Sequence, residues 1–444
     1  MQTRCTFSTL PKTISQVISS SGSSVVKTNG WIRSIRRKKT VAFADLVDGT
    51  TSEPLQILLS QNEANQLSNG CSVELTGELK KSEGKLSRLE FHPINLKILG
   101  SSNAETYPMQ KKYHTAGYLR QQAHLRSRTS LFSIILRLRS KITTQLHSFF
   151  SSNNFIHTHP PVITSSDCEG AGETFGIRPE NFFSTSANLS VSCQLHLEAL
   201  SMGVNRVWSL NPTFRAEGSV TSRHLAEFWM LEAEMSFIEN LETVMSLVEG
   251  LIKNVTGKLI EDEAWKEFES VKGRENGTIV DTRDHWMRLM GEWKRISYAD
   301  AIEILRSSSE SFQFEPAWGL SLHSEHEKYL ATNGPIFITD YPRSLKPFYM
   351  LASSSTTVAG FDLLFPTIGE LAGGSLREHS YERLEQRMKE DGIDIPWYLE
   401  LRKWGTVPRG GFGVGFERLL MFLVAQENVR DVISFPRWRG NCRF

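Results

Sequence analysis

Between Val25 and Ile98 the chain is cut into five short strand-like runs, Val25-Val26, Thr40 to Leu46, Leu55 to Leu59, Ser72 to Thr76 and Leu89 to Ile98, separated by turn residues such as Asp48-Gly49 and Glu83-Gly84. Five strands this short predict a small barrel. The pattern then changes. Ser101 to Arg128 carries Pro108, Gly117 and several basic residues and reads as a hinge. Beyond it Leu131, Ile134, Ile135, Leu138, Ile142, Leu146 and Phe149 fall at helical spacing between Thr129 and Phe150. Pro160-Pro161 breaks the chain ahead of mixed strands and helices, and Glu239 to Arg288 reads as charged, helical and peripheral. Gly410-Gly-Phe-Gly-Val-Gly415 then leads into an apolar helix from Phe416 to Ala425.

The chain's 50 Lys and Arg against 49 Asp and Glu conceal an asymmetry, because residues 1–140 hold 20 basic and 9 acidic side chains and the remainder 30 and 40. A basic barrel can hold a polyanion. Its strand Trp31-Ile-Arg-Ser-Ile-Arg-Arg-Lys-Lys39 supplies what an OB-fold needs to grip a single-stranded loop by stacking and phosphate contact. A solvated basic surface without a partner is the competing reading on charge alone. The five cysteines (Cys5, Cys71, Cys168, Cys193, Cys442) are odd in number and form no C-x-x-C pair, which suggests neither a disulfide framework nor a structural zinc site. No apolar run approaches the roughly 18 residues of a membrane-spanning helix. No acidic residue precedes Asp45, and Arg4, Lys12 and Lys27 sit among Ser and Thr. That composition resembles a mitochondrial transit segment, placed at residues 1–20, with a disordered basic tail as the alternative.

The segment Pro212-Thr-Phe-Arg-Ala-Glu217, followed by Thr221-Ser-Arg-His-Leu-Ala-Glu-Phe-Trp-Met-Leu-Glu232, resembles motif 2 of the class II aminoacyl-tRNA synthetases, in the subgroup that charges Asn, Asp and Lys. Two strands joined by a loop would set Arg215 to grip the α-phosphate of ATP and Phe228 to stack on adenine. Glu217 and His224 would hold the adenine amino group and the outer phosphates. Taken singly, each of these is more often a surface ion pair or a core ring; at this spacing together they are not. Gly413-Val-Gly-Phe-Glu-Arg418 resembles motif 3, which implies that Arg418 meets adenine and the γ-phosphate, and His157-Thr-His-Pro-Pro161 stands where motif 1 and a dimer interface would lie. Asp362 and Glu370, expected on adjoining strands, read as ligands for a Mg2+ that bridges phosphates, against a reading as structural acids.

Asn and Asp share a shape, so a site can separate them only by charge and hydrogen-bond polarity. In Ser192-Cys-Gln-Leu-His-Leu-Glu198 the lysine that aspartate enzymes of this family carry three residues after the glutamine is Leu197. The resemblance then implies Arg377 as donor to the side-chain carbonyl, Glu232 as acceptor of the amide, and Glu169 with Gln194 around the α-ammonium group. In the barrel it implies Arg36, Phe43 and Gln56 as anticodon readers, while Trp31 reads better as a core residue. Cys193 stands where glycine is usual, Leu351 where arginine is common and Leu376 where glutamine is frequent, the last two expected near the pocket.

The resemblance extends over nearly the whole chain and is nearest to the mitochondrial asparaginyl-tRNA synthetases. It implies an α+β protein with an OB-fold barrel at 21–102, a hinge at 103–128 and a catalytic domain with a mixed, largely antiparallel sheet at 129–444. Such an enzyme, a homodimer off the membrane, would join L-asparagine to tRNA(Asn) through an adenylate with ATP and Mg2+, in the mitochondrial matrix or alternatively the cytoplasm. Aspartyl charging, strict or relaxed, and a non-catalytic tRNA-binding paralogue are the rival readings. Lysyl charging and tRNA-independent asparagine synthesis are more distant ones.

Overall fold

The computed structural model describes residues 10–20, 25–82, 89–166, 174–178, 182–219, 221–276, 286–287 and 289–444. The described residues divide into two compact units, one made of those within 1–140 and 262–279 and the other of those within 141–261 and 280–444.

In the first unit, β1 (Val26–Arg37), β2 (Val41–Val47), β3 (Leu55–Ser60), β4 (Ser72–Lys81) and β5 (Leu89–Gly100) close into a barrel in the order β1-β2-β3-β5-β4. Period-two alternation drives the closure. Ala42, Ala44 and Leu46 of β2 and Leu55, Ile57 and Leu59 of β3 point inward, and Val73, Leu75 and Phe91 complete the core. At the β4 bulge a methyl group on Gly77 would lie 2.2 Å from the His92 carbonyl oxygen, so only glycine lets β5 approach this closely. A short helix, Ile14–Ile18, opens on a Thr13 capping box and buries Ile14 and Val17 in the barrel core. The Ile14 amide donates to Asp48 Oδ2 at 2.8 Å. A removable leader that ran to residue 20 would therefore take barrel core with it.

In the second unit, an eight-stranded sheet runs β11-β12-β13-β14-β15-β10-β9-β6, where β6 is Ile156–His157, β9 Arg206–Phe214, β10 Glu227–Ser236, β11 Lys294–Ser297, β12 Ile336–Thr339, β13 Gly360–Phe365, β14 Gly369–Leu376 and β15 Arg409–Gly415. The five central pairings are antiparallel and the two outermost parallel. β7 (Ile163–Thr164) and β8 (Asn188–Leu189) form a separate small sheet.

The predicted helix after the hinge spans Ser130–Ser152. Its last buried ring is Phe150, stacked on Trp208 at 4.5 Å, rather than Phe149. One expectation fails. The helix Leu241–Ile260, read as peripheral, buries Val244, Val248, Leu251, Ile252, Val255 and Leu259. Its apolar stripe has the helical period but is hidden in sequence by the charged residues on its other faces. Among the described residues no helix is long and apolar enough to cross a membrane.

Candidate functional site

A cavity of about 340 Å³ opens on the sheet of the second unit. Strand register builds it. Glu232 of β10 pairs with Gly413 of β15, Gly413 with Gly373 of β14, and Gly373 with Asp362 of β13. Paired residues point to one face, so a carboxylate stands at each end of a row whose middle has no side chains. The same alternation turns Phe228, Met230, Glu232 and Glu234 of β10 to the cavity.

Around this floor the structure gathers Arg215, Glu217, His224, Phe228, Glu370, Arg418, Gln194, Glu232, Arg377 and Asp362, all of which line the cavity. Arg215 leaves the end of β9 with its amide bonded to the Ala226 carbonyl at 3.0 Å and its guanidinium carbon 5.6 Å from the Phe228 ring centre. His224 Nε2 lies 3.3 Å from Glu217, and burial, against the pull of Glu217, lowers the imidazole pKa and favours its neutral form. Arg418, on the first turn of the buried helix Phe416–Leu423, donates to the Glu370 carbonyl at 2.8 Å. Glu169 lies outside the described residues.

At the opposite end Glu232 is 5% exposed and held by three donors, the Ser192 hydroxyl, the Cys193 amide at 3.1 Å and the Cys193 thiol at 2.7 Å. Gln194 Nε2 donates to Glu198 at 3.1 Å, which turns its carbonyl oxygen away from that acid. Arg377 donates to Glu234 and, at 2.6 Å, to Ser375 Oγ, with Glu198 3.9 Å away. Burial opposes its charge, but the two glutamates raise its pKa further and keep it protonated. A methyl group on Gly411 would lie 2.2 Å from the Glu234 carboxyl, so the glycine makes room for the acid that holds Arg377.

The model for class II tRNA synthetases of the D, K and N group matches residues 116–439, and that for the OB-fold nucleic acid binding domain matches 26–99. An asparaginyl-tRNA synthetase of Mus musculus is 44% identical over 94% of this chain and 91% of its own length. A mitochondrial asparagine--tRNA ligase of Schizosaccharomyces pombe is also 44% identical, over 94% and 95%. The chain belongs to the class II asparaginyl-tRNA synthetases. The crystal structure of asparaginyl-tRNA synthetase from Pyrococcus horikoshii complexed with asparaginyl-adenylate has a TM-score of 0.85 at 29% identity, covering 98% of this chain and 99% of that one.

Behind the synthetase's Arg377 lies a network that sequence reasoning missed. Glu198, fully buried, accepts from Tyr398 Oη at 2.8 Å and Arg402 Nη2 at 3.0 Å. Burial pushes its carboxyl up, but Arg402, Arg377 and Arg409 outweigh burial and hold it below the ordinary value of 4.5. One signal was available: Glu198 is four residues after Gln194 and so shares its helix face. Likewise Glu234 is two after Glu232 on the same strand face. Leu197 packs with Cys193 and Val207 instead of lining the cavity, and Leu351 and Leu376 are not among its lining residues either.

Asp362 and Glu370 fit a magnesium ion. A methyl group on Gly373 would lie 3.5 Å from Asp362 Oδ1 and 3.7 Å from Glu370 Oε1, so the glycine leaves both carboxylates open on its side and offers hard oxygen donors there, with the Lys346 ammonium on Asp362 from another side. Burial raises the Asp362 pKa against the pull of Lys346, whereas Arg418 and Lys346 overcome burial to lower that of Glu370. Among the described residues no three metal-ligating side chains converge, so a magnesium ion held by these two would need further oxygen ligands from outside the protein.

On the barrel, Arg36 is paired across β1 and β2 with Phe43, and Asp45, which Arg36 approaches at 3.6 Å, is paired with Gln56 of β3. The three predicted readers thus share one outward face. Lys38 Nζ lies 5.0 Å from the Phe43 ring centre. Trp31 is 39% exposed and faces Arg128 at 5.2 Å, which corrects its reading as a core residue: a bulge after Ile32 leaves Trp31 on the outer side while Ile32 fills the core.

Proposed function

We propose that the chain activates L-asparagine with ATP in the sheet cavity and passes it to tRNA(Asn) in the mitochondrion. The observation that carries this reading is the row Glu232, Gly413, Gly373, Asp362. Glycines leave a floor for a small amino acid, one end carries an acceptor for an amide, and the other carries oxygen ligands beside a triphosphate site.

Asparagine lies across the floor with its amide nitrogen donating to Glu232, its carbonyl oxygen accepting from Arg377 and its ammonium donating to the Gln194 carbonyl oxygen, with Glu169 as a second acceptor. Phe228 stacks on adenine, Glu217 takes the adenine amino group, and His224 and Arg418 hold the outer phosphates. The asparagine carboxylate oxygen then attacks the α-phosphorus in line, its bond to the β-bridging oxygen breaks, and pyrophosphate leaves while Arg215 stabilises the charge of the transition state. Asp362 and Glu370 would hold a magnesium ion, which would supply neutralisation of the departing charge. In the second step the 3′-hydroxyl of the terminal tRNA adenosine attacks the acyl carbon, giving the ester and AMP. Arg36, Phe43 and Gln56 hold the anticodon.

Charging of mitochondrial tRNA by the purified protein, with Asn and Asp at matched concentrations, tests the reading. Charging with Asn alone is expected; charging with Asp would reassign the substrate. Glu232→Gln is expected to lower kcat/KM for Asn on the order of 100-fold and to narrow the preference over Asp, since the site loses the charge that repels a second carboxylate. An unchanged Asn to Asp ratio would remove Glu232 from recognition. Phe43→Ala is expected to raise the KM for tRNA by about 5- to 150-fold, from a stacking contribution of about 1–3 kcal/mol, with ATP–pyrophosphate exchange unaltered.

The mitochondrial assignment draws on the similarity to the fission-yeast mitochondrial ligase. A full-length fluorescent fusion should co-localise with mitochondria, and a diffuse cytoplasmic signal would reassign it. Sedimentation of the purified protein at twice the monomer mass is the expected result for a homodimer.

A further inference from the structure

Among the cations that line the cavity, Arg223 and Lys346 have no part in the reading above, and Lys346 is the one paired with a candidate metal ligand. Lys346 follows the short 3-10 helix Arg343–Leu345, and its Nζ lies 2.7 Å from both Oδ1 and Oδ2 of Asp362. Both side chains are largely enclosed, at 14% and 17% exposure. The ammonium also sits 3.9 Å from the centre of the buried Tyr341 ring. Lys346 therefore occupies both oxygens of one of the two carboxylates that flank Gly373, and its charge acts on the other, Glu370, as well.

We propose that Lys346 is a resident counter-ion that keeps the divalent-metal site closed until the nucleotide arrives. This inference rests on the reading of Asp362 and Glu370 as metal ligands. The argument is one of charge and valence. With its two oxygens engaged by an ammonium, Asp362 has no cheap lone pair to give, and a divalent ion at Asp362 would lie within a few ångströms of a positive charge. Glu370 alone is too poor a ligand set for a strongly hydrated dication. A triphosphate changes both conditions: it brings oxygens that complete the coordination, and it offers Lys346 an anion of higher charge than Asp362. The lysine stem has four rotatable carbons and a compact, mobile ammonium, so transfer from carboxylate to phosphate needs no backbone movement. The metal accordingly enters with ATP rather than before it.

The test is titration of the nucleotide-free full-length protein with Mn2+, read by the loss of the free-ion electron paramagnetic resonance signal. It compares wild type with Lys346→Met, Lys346→Gln and Asp362→Asn. Wild type is expected to bind weakly, both Lys346 variants at least about tenfold more tightly, as removal of one nearby charge predicts, and Asp362→Asn more weakly than either Lys346 variant. Using two Lys346 variants guards against one that fails to fold, and circular dichroism identifies such a failure. If Lys346→Met and Lys346→Gln bind Mn2+ no more tightly than wild type while the double variant Lys346→Met with Asp362→Asn binds less than Lys346→Met, the metal ligand stands and the counter-ion role is overturned. If the double variant binds as well as Lys346→Met, it is Asp362 as a metal ligand that fails.

Discussion

Arg215→Ala is expected to lower ATP–pyrophosphate exchange with asparagine on the order of 10³-fold, or about 4 kcal/mol of transition-state stabilisation. Arg215 is fixed where β9 ends, with its backbone bonded to Ala226 across the loop and its guanidinium Nη2 3.4 Å from the Val191 carbonyl. Its charge reaches Glu370, whose pKa it helps to lower, so it bears on the region where the phosphates would lie. A cation preorganised by backbone contacts needs no reorganisation as charge moves to the leaving group, and its loss therefore falls on kcat more than on KM. The side chain is peripheral to the core, so thermal unfolding should be little changed. Arg215→Lys keeps the charge without the planar fork and should recover only part of the rate. Exchange within tenfold of wild type in Arg215→Ala would remove this residue from the chemistry.

The largest stability effect is expected from Glu198→Gln. The carboxylate lies 3.0 Å from Arg402 Nη2 and 3.9 Å from Arg377 Nε in a fully buried setting. Removing its charge leaves buried guanidinium groups without their shared acid, a change that costs about 3–5 kcal/mol in such networks. Urea unfolding followed by far-ultraviolet circular dichroism measures it, and a loss below 1 kcal/mol would show that the network is not an energetic support. The pH dependence has a defined sign. The Glu198 pKa is lower folded than its ordinary 4.5, so the contribution is complete above that value and is lost as pH falls through the depressed folded pKa. The wild type should therefore lose stability more steeply than Glu198→Gln below about pH 4.5. Because Arg377 leans on this acid, the variant should also raise the KM for asparagine.

The barrel was legible because its strand-like runs are short and separated by turn residues, and the inward set in β2 and β3 can be read off every second residue. The cavity residues were legible through the resemblance of their motifs to those of the class II synthetases. What stayed hidden is support rather than contact. Tyr398, Arg402 and Arg409 are some 200 residues away from Glu198 in sequence, and nothing in a linear pattern tells that a glutamate on a helix will be charge-balanced by them. The short helix Ile14–Ile18 was hidden for another reason. Its five residues are too few to display a period, and its place was fixed by Asp48 and the barrel core instead.

The glycine floor has a consequence for selectivity among amino acids of different length. The backbones of its two acidic ends are three strand-to-strand steps apart, about 14 Å, a span set by backbone hydrogen bonds, while Ser192 and Cys193 fix the Glu232 carboxylate at one end. On the proposed reading the sheet acts as a fixed gauge: a substrate anchored by its amide at Glu232 delivers its carboxylate to one place only. Glutamine, one methylene longer, would overshoot the α-phosphate when correctly anchored, or lose its anchor when correctly delivered. With the strand register fixed, the length accepted depends on the reach of the side chains at the two ends, so Glu232→Asp would move the anchor by one methylene.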